Sequence, residues 1–123
     1  MKVLVEELRQ ICMDILGNQG LNEDDARIVS DAVLEAELRG RPSHGVIRVA
    51  GIAERVALKG RTSMRVARTR GICTLVDGKG NLGYLVAHRC ARTVAQKARK
   101  GGVGLVVAFN TEMCGMIGYY VSL

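Results

Sequence analysis

The apolar residues of this 123-residue chain change their spacing near residue 60, and that change limits it to a mixed α/β fold. Up to that point they recur with the period of a helix. Leu4, Leu8, Ile11, Cys12, Ile15 and Leu16 predict a first helix over about 3–16, and Gly17 and Gly20 turn the chain out of it. Asn22 is a favourable N-cap, and Asp25 three residues on resembles a capping box with a shorter acid. A second helix then runs to about residue 38, buried through Ile28, Val29, Ala32, Val33 and Ala36. A third is expected over about 44–58, with Val46, Val49, Ala50, Ala53 and Val56 apolar and Gly60 closing it. Beyond it the period shortens. Residues 64–68 partly alternate, Arg70-Gly71 is a turn signal, and Ile72-Cys73-Thr74-Leu75-Val76 is β-rich, so a hairpin or a pair of strands is expected. Leu85, Val86, Cys90, Val94 and Ala98 mark a helix over about 82–100. Residues 103–109 form a near-continuous apolar strand of the kind covered on both faces. The expected architecture is a three-helix N-terminal lobe, residues 1–60, followed by the β-β-α-β start of a mixed sheet over 61–123, with a seam near residues 60–63.

Between the second and third expected helices stands Arg39-Gly40-Arg41-Pro42-Ser43-His44-Gly45-Val46-Ile47-Arg48. It gathers a hydroxyl, an imidazole and three guanidiniums around two glycines and the only proline of the chain. Pro42 biases Arg41 out of the α region, so the preceding helix must stop there. Ser43 then falls at an N-cap position. His44 and Gly45 become the first helical residues, with free backbone N–H groups that attract anions. Arg48, four residues after His44, shares its helical face. A guanidinium grips a carboxylate through two parallel hydrogen bonds, and an imidazole moves a proton near neutral pH. The combination suits a small carboxylate substrate whose neighbouring carbon changes oxidation state. The same residues also read as a capping serine, a surface histidine and a solvated arginine, and spacing alone leaves both readings open.

Ala36-Glu37-Leu38-Arg39-Gly40, followed by Ser43-His44-Gly45 and Arg48, resembles the A-x-x-R-G-x-x-S-H-G-x-x-R signature of the type-2 malate/L-lactate dehydrogenases. That family includes the ureidoglycolate dehydrogenases and several 2-oxo-acid and imino-acid reductases. The resemblance continues through Leu75-Val76-Asp77-Gly78, Asn81-Leu82-Gly83, Gly102-Val103-Gly104 and Gly115-Met116-Ile117-Gly118-Tyr119-Tyr120. It implies an oxidoreductase that moves a hydride between NAD or NADP and the carbonyl carbon of a small 2-oxo acid. By that resemblance His44 exchanges the proton, Ser43 orients it and Arg48 holds the carboxylate, while no residue is assigned to the cofactor. Family members are much longer, so a truncated chain lacking most of the cofactor domain is expected. The loop after the last strand carries a second histidine in the family. Here it reads Asn110-Thr111-Glu112-Met113-Cys114-Gly115, and Met113 stands at that position. A thioether has no exchangeable proton. The alternative is therefore a non-catalytic remnant or self-associating module without dehydrogenase activity. The family's interfaces imply a homo-oligomer, such as a dimer, or a longer partner chain.

Gly78-Lys79-Gly80-Asn81-Leu82-Gly83 is a literal G-x-G-x-x-G after a strand and before a helix. A dinucleotide-binding turn needs an acid closing the next strand. That strand ends in Asn110, and Glu112 comes late, so the segment reads as a turn that lets a helix start close to the sheet. His88 is expected on the surface. Cys12 and Cys90 read as core thiols. The four cysteines have neither zinc nor disulfide spacing, and Met113, Cys114 and Met116 are too few for a soft-metal site, so no metal is expected. Net charge is +6, with the bases concentrated after residue 38. They are scattered and aromatics are almost absent, which argues against nucleic acid and fits a cleft that draws anionic substrates. No apolar run reaches membrane length and no leader precedes the first helix, so a cytoplasmic location is expected.

Overall fold

A computed structural model describes residues 2–60 and 62–123. The chain forms two compact units, Met1–Arg61 and Thr62–Leu123. The seam expected at residues 60–63 includes Arg61, which lies outside the described residues.

The first unit holds three α-helices: α1 (Val5–Asn18), α2 (Glu23–Leu38) and α3 (Val49–Lys59). The best-formed is α2, because its local signals agree. The Asn22 side chain accepts the Asp25 amide at 2.8 Å, and three acids occupy the first turn, where the helix dipole favours them. Its end is a Schellman motif: the Arg41 amide reaches Ala36 O at 2.8 Å and the Gly40 amide reaches Glu37 O at 3.0 Å. That closure places Gly40 at φ +67°, a conformation that favours glycine. Val29, Val33 and Ala36 face inward with Leu16 from α1, and Val49, Ile52 and Val56 of α3 are also buried. Each Val or Leu buried this way contributes about 1.5–3 kcal/mol.

In α1 only half of the expected apolar stripe is used. Cys12, Met13 and Leu16 are buried, whereas Leu4, Ile11 and Ile15 are 68%, 50% and 41% exposed. The third helix also differs from expectation. In place of one helix over 44–58, two short 3-10 turns, Pro42–His44 and Val46–Arg48, precede α3. Ser43 lies inside the first turn and caps nothing, and the N-cap residue of α3 is Arg48.

In the second unit β1 (Arg65–Arg70) pairs antiparallel with β2 (Cys73–Asn81), and β2 pairs parallel with β3 (Leu105–Thr111). The sheet order is β1-β2-β3, with α4 (Gly83–Gly101) crossing between the parallel strands and α5 (Ile117–Val121) following. This is the expected mixed α/β arrangement. Thr74 and Val76 of β2 and Leu85 and Val86 of α4 are buried, which marks the face that α4 covers. A Cβ on Gly104 would come within 2.7 Å of Val94 O, so β3 and α4 approach closely there. The other face is open. Leu105, Val107 and Phe109 are 50%, 45% and 44% exposed, so β3 is not covered on both faces. Cys90 and His88 are both half-buried on α4, the first less enclosed and the second more enclosed than expected, while Cys12 is buried.

Candidate functional site

The link between α2 and α3 is shaped by its own hydrogen bonds and by one acid. Pro42 starts the first 3-10 turn, where its missing N–H costs nothing. The amides of His44, Gly45 and Arg48 bond to Arg41 O, Pro42 O and Gly45 O at 2.9, 3.0 and 3.0 Å. The Val46 amide donates to Glu37 Oε2 at 3.1 Å. Those N–H groups are therefore engaged, and the anion-accepting helix mouth expected at His44 and Gly45 does not form. The Glu37 carboxylate fills the space beside Gly45, and a Cβ on that glycine would lie 3.0 Å from Glu37 Cδ. Glu37 is a positioning residue that reasoning on spacing passed over. Its signal was present, as an acid one turn before the break on the helix that enters it.

Ser43, His44 and Arg48 come together all the same, by a different route. Ser43 Oγ lies 3.0 Å from His44 Nδ1. Arg48 Nε donates to Ser43 O at 2.6 Å, so its guanidinium folds back over the first turn instead of meeting His44 across a helix face. All three residues are exposed. The contact at Nε leaves the two terminal guanidinium nitrogens, a fork able to take a carboxylate. The contact at Nδ1 leaves Nε2 as the imidazole atom available for exchange. Nearby, Arg39 Nε is held by Glu35 Oε1 at 2.6 Å.

The second unit contributes a separate polar knot. The Lys79 amide at 2.9 Å and Asn110 Nδ2 at 3.1 Å both donate to Asp77 Oδ1, and these bonds hold the Asp77 carboxyl below the usual carboxylate range. Lys79 and Asn110 take φ of +55° and +53°, unusual outside glycine. The carboxylate thus ties the end of β2 to the end of β3. Met113 is 75% exposed. Tyr120 donates its hydroxyl to Cys114 O at 2.5 Å, burial pushes its phenol up, and its ring meets Tyr119 edge-on with centroids 5.1 Å apart.

In the G-x-G-x-x-G segment the first and third glycines are close-packed. A Cβ on Gly78 would come 2.8 Å from Asn110 O, and one on Gly83 would overlap Glu112 O and Met113. The space beside Gly78 and Gly83 is taken by the end of β3 and the backbone that follows it, which lets α4 start close to the sheet, while Gly80 has nothing within 4 Å of an added Cβ. Among the described residues no group of three or more His, Cys, Asp or Glu is arranged to hold a metal ion, and the four cysteines are free.

Residues 3–123 match a family model described as malate/L-lactate dehydrogenase. A malate dehydrogenase of Pyrococcus abyssi is 31% identical over 121 residues, which cover 96% of this chain and 33% of that protein. A malate/(S)-sulfolactate dehydrogenase of Methanothermus fervidus is 30% identical, covering 96% of this chain and 36% of that one. The solved structure of malate dehydrogenase from Pyrococcus horikoshii OT3 superposes with a TM-score of 0.93 at 33% identity, over 98% of this chain and 35% of that one. The chain therefore spans about a third of the length of the relatives it matches.

Proposed function

Because the chain belongs to the malate/L-lactate dehydrogenase family, we propose that it handles the organic-acid end of an NAD(P)-dependent hydride transfer between a small 2-hydroxy acid and its 2-oxo acid. The observation that carries this reading is the cluster of Ser43, His44 and Arg48 on one exposed turn, braced by Glu37. The terminal nitrogens of Arg48 bind the carboxylate and set its plane. His44 Nε2 faces the neighbouring oxygen. As imidazolium, His44 donates Nδ1–H to Ser43 Oγ and gives its Nε2 proton to a carbonyl oxygen as it becomes hydroxyl, which leaves a neutral imidazole. When Ser43 accepts from Nδ1–H, Nε2 is free to take the hydroxyl proton in the opposite direction. The nicotinamide cofactor supplies or accepts the hydride when bound. The strand after the glycine segment closes in Asn110-Thr111 where a dinucleotide-binding turn needs an acid, which argues against a Rossmann-type role for that segment. Residues 1–60 act as the helical lobe and 61–123 as the start of the sheet lobe. A cytoplasmic setting suits such chemistry, and no helix among the described residues is long and apolar enough to cross a membrane.

The test is reduction of 2-oxo acids with NADH and with NADPH, by this chain alone and together with a polypeptide supplying the remaining family length. Turnover that His44→Gln abolishes and that Arg48→Gln weakens through KM supports the reading. Turnover indifferent to both substitutions overturns it. Met113 favours a second reading, in which the lineage persists without chemistry. Its exposed thioether holds no proton where the family carries histidine, and absence of turnover in both formats would select it.

A further inference from the structure

Helix α4 carries more charge than its place in the fold requires, and all of it has one sign. Across Gly83–Gly101 stand Arg89, Arg92, Lys97, Arg99 and Lys100, with no Asp or Glu. Part of this has a local cause. Arg99 and Lys100 occupy the last turn, where the helix dipole favours cations, and Lys97 Nζ donates to Gly71 O at 3.2 Å. Arg92 has no such cause. It sits mid-helix, and neither it nor Arg99 has an ion pair among the described residues.

These two arginines line a groove of about 200 Å³ together with His88, Gln96, Ala91 and Ala95, and no acidic side chain lines it. His88, Arg92, Gln96 and Arg99 follow a 4-4-3 spacing and so share one side of the helix. Ala91 and Ala95 add only methyl groups between the longer side chains. Arg92 and Arg99 lie about 10 Å apart along the axis and nearly in line. On their flexible stems the two guanidiniums can close on one anion from either end, with the Gln96 amide between them. The groove is smaller than the roughly 300–1,000 Å³ of a pocket that encloses a drug-sized ligand, so it takes a small ion and not a whole nucleotide.

We propose that this groove binds a small anion of the phosphate class with two or more charges, such as inorganic pyrophosphate or a short phosphate monoester. A guanidinium matches phosphate through paired N–H donors, and the several acceptor oxygens of one phosphoryl group can serve both arginines and Gln96. A planar carboxylate has a single charge and fills one guanidinium fork only. The site lies within the second unit and does not rest on the reading of Ser43, His44 and Arg48.

Proton NMR of the full chain, titrated with inorganic pyrophosphate at fixed pH and ionic strength, tests this. The imidazole C2–H signal of His88, which lines the groove, should move in a saturable way. Arg92→Gln/Arg99→Gln should weaken binding at least tenfold, with unchanged helix content by circular dichroism. Arg68→Gln/Arg70→Gln removes the same charge from β1 and should change the affinity by less than about twofold. A His88 signal that does not saturate, or equal weakening by both double variants, would overturn the site. So would co-sedimentation with phosphatidylglycerol vesicles in the absence of any response to pyrophosphate, because the ligand would then be a membrane surface. The readout is His88, so failure here is distinct from failure of the activity proposed for His44.

Discussion

Replacing Gly45 with Ala puts one methyl group where the Glu37 carboxylate lies, close to Glu37 Oε2 and 3.0 Å from Glu37 Cδ. Either that carboxylate or the turn must move, and the bond from the Val46 amide is lost with it. A hydrogen bond to a charged acceptor contributes about 1.5–3 kcal/mol. Val46 is only half-buried, so water restores part of this, and a net loss of about 1–2 kcal/mol is expected. In a domain of this size that is a fall of roughly 4–10 °C in Tm. Gly51→Ala is the matched control. Gly51 lies exposed in α3 with nothing within 4 Å of an added Cβ. There alanine should stabilise by up to about 1 kcal/mol through helix propensity. Thermal unfolding followed at 222 nm reads both. A Glu37→Ala background isolates the contact, because Gly45→Ala should cost little once the carboxylate is gone. Equal stability of Gly45→Ala and wild type would refute the bracing role of Glu37. So would a full penalty in the Glu37→Ala background.

Ser30 is fully buried on α2 and its hydroxyl has no hydrogen-bond partner among the described residues, so Ser30→Ala should raise stability by about 1 kcal/mol. A urea midpoint that is unchanged or lower rejects this. Asp77 has a folded-state pKa below its ordinary value. The stability it confers is complete above about pH 4 and is lost as pH falls through the folded value. Asp77→Asn should therefore lessen the acid sensitivity of unfolding below about pH 4, and parallel stability curves for the two proteins would contradict that.

What could be read from sequence was local. The second helix was legible because Asn22, the buried stripe and Gly40 lie within its own span and agree. The hairpin was legible from Arg70-Gly71 and the β-rich residues beside it. The start of the third helix was not, because the Val46 amide is claimed by Glu37, nine residues earlier and on another helix. Periodicity carries no trace of that competition. The open face of β3 escaped for a related reason. An apolar strand specifies a preference for cover, and the cover itself lies elsewhere. In α1 the exposed and the buried apolar residues share one helical period, so spacing cannot say which half is buried. At the site, the grouping of Ser43, His44 and Arg48 was legible, but its geometry was not. Arg48 bonds the Ser43 carbonyl instead of meeting His44 along a helix.

The organic-acid reading is tested most directly by proton NMR of the two histidines, His44 and His88, during titration with a small unreactive 2-oxo acid analogue such as oxamate. The imidazole C2–H signal of His44 should move in a saturable way while that of His88 stays in place, and Arg48→Gln should abolish the movement. A His44 signal that does not move, or equal shifts at both rings that persist in Arg48→Gln, would contradict it.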